Sequence, residues 1–136
     1  MVVARPGEKK DLAGIWAVKT RQHDAEYSAH PHIDIFNADG SLSNDTDWRL
    51  SWGMIGSGRG RWAATGAREF QLKYYAVTSN KEGVAYGFEQ VQSILTLSES
   101  GDEFTGRAKW DLLDANWTVV FRGFSDFQGT RLETPE

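Results

Sequence analysis

The segment HPHID places His30, His32 and Asp34 at every second position. In an extended chain alternate side chains project to the same side. The three would therefore share a face, the arrangement that a metal ion or an acid–base pair requires. An aspartate beside an imidazole can orient it and favour its charged form, so that it moves a proton near neutral pH. Pro31 fits a strand start at the rim of a sheet, and His23 lies a short way upstream. The competing reading is a histidine that is exposed or satisfied locally. Phe36 shares the face of His32 and Asp34, whereas Ile33 and Ile35 claim the opposite one.

Further polar candidates are thinly spread. Glu89 and Gln90 are adjacent, so in a strand with two distinct faces one of them points inward. Glu89 joins His32 and Asp34 as a candidate for proton transfer, and Tyr74 supplies a hydroxyl. Trp52, Trp62, Trp110 and Phe121 could wall a site for a flat or hydrophobic molecule, with Arg49 available to an acidic substituent. Arg49 reads equally well as a solvated surface charge. No Ser–His–Asp spacing or dinucleotide fingerprint is present, and a chain without cysteine has no thiol nucleophile.

The stretch SWGMIGSGRGRW carries Gly53, Gly56, Gly58 and Gly60 and invites a phosphate-binding reading. A phosphate loop needs a preceding apolar strand, a following helix and, for the P-loop, a Gly-Lys-Ser/Thr ending. None is found here. Gly58 and Gly60 instead share a face with Trp62 while Arg59 and Arg61 alternate to the other side, which describes a strand relieved of crowding where a barrel coils sharply.

The elements that must position these residues are strands. Period-2 runs cover 14–22, 32–36, 58–64, 68–78, 84–97, 103–113 and 117–124, with SLSND following the turn NADG at 37–40. The connectors TGA, SNKEG, SESGD and DAN are short and polar, hence the strands are neighbouring and antiparallel. About eight strands in meander order predict an all-β, eight-stranded antiparallel up-and-down barrel, which removes its own edges. Phe70, Leu72, Tyr74, Phe104, Ala108 and Trp110 are expected on inward faces with Trp62. Gly58, Gly60, Gly106 and Ala108 are expected to leave volume unfilled there, against the alternative that Trp62, Trp110 and Phe121 fill it. Residues 46–55, TDWRLSWGMI, form a hydrophobic lid if they leave the sheet, and an ordinary strand if they do not.

Bulk properties limit the function classes. The 136 residues suit a single domain, with residues 1–11 as an extended or flexible arm. A net charge of -4 argues against a general nucleic-acid binder. No apolar run reaches the roughly 18 residues of a membrane span, and MVVARPGEKK is too polar for a secretory leader. A cytoplasmic protein with no nucleic-acid or membrane partner is the expectation.

Gly14 and Trp16 in GIW, with Gly129 and Arg131 in GTR, resemble the paired signature of lipocalin-like (calycin) barrels. FNADG, GRW and LTLSESGDEFTG extend the likeness to small bacterial lipocalin-like proteins over nearly the whole chain. The resemblance implies that Trp16 packs across a closed end with Arg131 stacked on it. It also places the aromatic before ADG inward, which would carry Asp34 and His32 into the cavity. His30-x-His32 is similar to a cupin pattern, but the glutamate expected soon after is missing, and neither a metal nor another cofactor is expected. WRLSWGMIGSGRGRW is similar to part of the phenolic acid decarboxylases, whose later glutamate has no counterpart in FQLKYYA.

Two functions follow as expectations: binding of a small hydrophobic or aromatic molecule, or cofactor-free cyclase, isomerase or lyase chemistry on a natural-product intermediate in the same cavity. Tyr75, Val120 and Phe124 fall on faces opposite the core, which predicts a homodimer.

Overall fold

The structure, a computed structural model, describes residues 11–22, 26–28, 31–45, 48–50 and 52–134, the side chains of 48–50 excepted. Arms and segments outside these ranges include most of the expected N-terminal arm, together with His23 and His30.

Nine strands make one antiparallel sheet: β1 (Gly14–Arg21), β2 (His32–Phe36), β3 (Ser41–Asp45), β4 (Trp48–Leu50), β5 (Gly53–Ala64), β6 (Glu69–Asn80), β7 (Ala85–Leu97), β8 (Glu103–Asp114) and β9 (Val119–Glu133). β1 pairs with both β2 and β9, so first and last strands meet. β3 lies along residues 58–61 of β5 and β4 along residues 53–55. These two short strands therefore share one position, and the ring closes as an eight-stranded meander barrel.

The boundaries differ from the sequence pattern at three places. β5 starts at Gly53 rather than at 58, with its pairing to β6 irregular between Ile55 and Gly58. That interruption of the alternation hid the first half of the strand. Trp117 belongs to the turn before β9, with φ of 64° and its N–H donating to the Asp114 carbonyl at 3.0 Å. β9 runs on to Glu133 through SDFQGTRLE, whose polar content masks an inward row of Ser125, Phe127, Gly129 and Arg131. Residues 48–50 and 53–55 pair as a hairpin within the sheet, so this segment is not a lid.

One end of the barrel is solid. Trp16, Phe36, Leu42, Phe70, Leu95 and Phe104 interlock there, all buried. Trp16 lies 4.6 Å from Phe104 between ring centroids and donates its indole N–H to the Leu12 carbonyl at 2.9 Å. The Arg131 guanidinium sits 4.4 Å from the Trp16 ring centre. Its Nε, Nη1 and Nη2 donate to the carbonyls of Gly101, Ala13 and Asp11 at 2.8, 2.7 and 2.6 Å. A planar cation thus covers the indole face and ties three chain segments together, a role that a lysine cannot fill. Among the described residues no helix is long and apolar enough to cross a membrane.

Candidate functional site

The opposite end is hollow. A cavity of about 1030 Å³ runs in from the mouth, at the upper limit of ordinary small-molecule pockets. Its volume does not come from the inward glycines, contrary to expectation. The space a Cβ would take at Gly58 is occupied by Asn44 and Tyr74, at Gly60 by the Lys73 backbone, and at Gly106 by the Phe127 ring. Small side chains, Val18, Ser93, Ala108 and Ser125, line it instead.

β2 decides the polar floor. Phe36 is buried in the closed end, which sets the inward face of its strand and turns Asp34 and then His32 toward the cavity. His32 Nε2 lies 3.1 Å from Asp34 Oδ1. The two groups are close without an aligned hydrogen bond, since Asp34 Oδ1 has no hydrogen-bond partner. Asn44 stands directly across from Asp34 on β3, buried. Its Oδ1 accepts from the Gly58 N–H at 2.8 Å, while its Nδ2 is left without a partner.

Tyr74 comes in from β6 and Glu89 from β7. Burial, and then the charges of Asp34 and Glu89, push the Tyr74 hydroxyl well above its usual range, with Asn44 opposing the shift. The phenol is therefore neutral and available as donor and acceptor. Of the adjacent pair, Glu89 rather than Gln90 lines the cavity. Burial raises its carboxyl to about 7, which makes it able to hold or release a proton near neutrality.

Aromatic side chains surround the way in. Trp110 stacks on Phe121 with centroids 5.6 Å apart and planes 14° from parallel. The ring lies so close over Gly123 that any Cβ there would collide with it. Trp52 meets Tyr86 edge-on at 6.1 Å, and both line the cavity.

Seven of the residues expected at the site are thus brought together: His32, Asp34, Trp52, Tyr74, Glu89, Trp110 and Phe121. Trp62 is not among them. It faces inward but at the closed end, donating its indole N–H to the Asn37 carbonyl at 2.9 Å and packing on Phe36 and Phe70. Alternation gives the face of a residue but not its depth along the barrel. The Arg49 backbone pairs with Met54 in the rim hairpin, and its side chain lies outside the described set. Sequence reasoning missed Arg21, Tyr86 and Arg122 at the mouth, where strand ends lose their alternation. Asn44 was within reach, being two residues beyond inward Leu42.

These features define the class of protein: an antiparallel meander barrel of eight strands, plugged at one end by a tryptophan–arginine pair and open at the other into an aromatic-walled cavity with a polar floor. No family model, curated protein or solved structure matches the chain.

Proposed function

We propose that the barrel binds a small hydrophobic or aromatic molecule in this cavity. The observation that carries the reading is the cavity itself, about 1030 Å³ and walled by Trp52, Tyr74, Trp110 and Phe121. A filled barrel would have placed those rings against one another across the axis. The Trp16–Arg131 plug supports a lipocalin-like relationship, and such a barrel accommodates one small ligand. Titration with the neutral probe N-phenyl-1-naphthylamine tests the reading through tryptophan emission. Quenching with a micromolar midpoint is expected, and Tyr74→Phe should weaken polar aromatic ligands while leaving this apolar probe unaffected. Emission that does not respond, across this and other hydrophobic probes, would exclude a ligand cavity.

A second reading is favoured by the inward His32–Asp34 contact and by Glu89: a cofactor-free cyclase, isomerase or lyase acting on a natural-product intermediate. Aromatic walls would hold the substrate in a reactive shape, and the polar floor would move a proton. On a turned-over substrate, His32→Ala and Asp34→Asn should each lower kcat by about a hundredfold with little change in binding, because proton transfer is realised in the transition state. Full turnover in both variants removes the dyad from the chemistry and leaves Glu89 or Tyr74 as the proton donor. We also propose self-association through outward apolar residues of β6 and β9.

A further inference from the structure

Among the described residues the cavity holds the carboxylates of Asp34 and Glu89, with few cations near them. Asp34 on β2 and Glu89 on β7 lie four positions apart around a ring of eight, hence on facing walls. Tyr74 feels the charge of both. Asp34 is 6 % exposed, and its Oδ1 accepts no hydrogen bond. Glu89 has neither a hydrogen bond nor an ion pair among the described residues.

The arginines that line the cavity are ion-paired with Asp111 and Asp126, the Arg21 Nε without a hydrogen bond. Arg122 is held by Asp111 at 2.7 Å, and Arg21 lies 3.5 Å from Asp126 with its guanidinium over the Tyr27 ring. Arg21 belongs to the mouth, and Arg122, beside Phe121 in the register row of Glu89, is committed to Asp111. Arg21 is five residues further along β1 than Trp16, the register partner of Asp34, which at about 3.3 Å per residue separates it from the Asp34 position by roughly 16 Å. His32 is the only neighbouring base on the floor among the described residues, and it is already the partner of Asp34. The aromatic faces of Tyr74 and Trp110 add partial negative charge.

Resting on the binding function proposed above, we infer that the occupant carries a protonated amine on an aromatic or hydrophobic body, with the amine directed at Asp34 and Glu89. A carboxylate in that place would meet two like charges. A neutral hydroxyl would satisfy one acceptor and leave the desolvation of a second carboxylate uncompensated. An ammonium supplies three donors and the missing charge, while aromatic rings tolerate it along the walls. Burial raises the Glu89 carboxyl to about 7, and a partner cation would lower it.

Calorimetric titration with three probes that share an indole ring tests this: tryptamine, tryptophol and indole-3-acetate, at about pH 8 so that Glu89 is ionised. Tryptamine should bind about tenfold or more tighter than tryptophol, the effect of one charge-assisted hydrogen bond, with indole-3-acetate weakest. Glu89→Gln should remove most of that preference, and Asp34→Asn should reduce it in the same direction. Each variant is checked by its thermal melt and by retained binding of N-phenyl-1-naphthylamine. If tryptophol or indole-3-acetate binds as well as tryptamine, or if both variants keep the full preference, the amine inference falls while the cavity function stands. If neither the indoles nor N-phenyl-1-naphthylamine binds, both fall together.

Discussion

Glu89 is the residue at which folding and function conflict. Its carboxyl ionises at the ordinary 4.5 in an unfolded chain and at about 7 in the barrel. Between those values the folded state holds a proton that the unfolded chain has released, so stability falls as pH rises through that window. The contribution is fully present below the unfolded value and lost above the folded one. Ionisable groups that share the cavity with it include Asp34 on the facing wall, His32 beside Asp34, and the neutral phenol of Tyr74. Glu89→Gln cannot lose the proton. Urea denaturation should give the variant and the parent equal stability near pH 4, and the variant an advantage of about 1 to 3 kcal/mol near pH 8. A parent whose stability relative to the variant is flat from acid to alkaline pH would contradict the burial of this carboxylate. A side chain that carries a standing penalty at neutral pH is a natural place for a ligand to bind, since a partner charge removes the penalty.

At the scale of elements, closure depends on one seam. β1 and β9 are far apart in the chain, and their registration brings Trp16 opposite Arg131. Backbone pairing alone does not choose that register, because a slip of one residue would exchange inner and outer faces. The indole and guanidinium lock it: Trp16 must reach Leu12 and Phe104, and Arg131 must reach three carbonyls. Trp16→Ala removes the buried ring and leaves the guanidinium uncovered. The expected loss is about 3 to 5 kcal/mol, as for other large-to-small core changes. A thermal melt that does not move would show that the seam holds without the plug. The same rigidity at the closed end lets the other end stay hollow, since the strands entering the cavity are already fixed in register below it.

At the scale of the whole molecule, the outer surface retains apolar groups that the barrel does not need. Tyr75 on β6 and Val120 and Phe124 on β9 are 38 %, 59 % and 46 % exposed. Groups of this size meet water singly without consequence, but several exposed on one molecule favour association. Sedimentation at micromolar concentration should give a species of twice the 15.2 kDa chain mass, and Val120→Lys together with Phe124→Lys should return it to a monomer. A monomer in the parent protein would assign these residues to ordinary surface.

Sequence periodicity determined most of the strands, their antiparallel order and the inward faces of β6 and β8, because side-chain alternation is local and strict. It also picked most of the site: His32, Asp34, Tyr74, Glu89 and Trp110 are each legible as inward or potentially inward residues. The choice between the two faces of HIDIF, however, rests on Phe36 finding Phe104 and Trp62 across the barrel, partners from distant strands. Depth along the axis was likewise invisible, since it is set by strand tilt and register, so Trp62 and Trp110 look alike in sequence while one seals the floor and the other lines the cavity. Whether a glycine leaves a hole or receives a ring depends on the facing strand, as Gly106 and Phe127 illustrate. The chemistry of the site is of the same kind. The raised carboxyl of Glu89 and the Asp34 Oδ1 left without a hydrogen bond arise from what closure places around them, which no local pattern records.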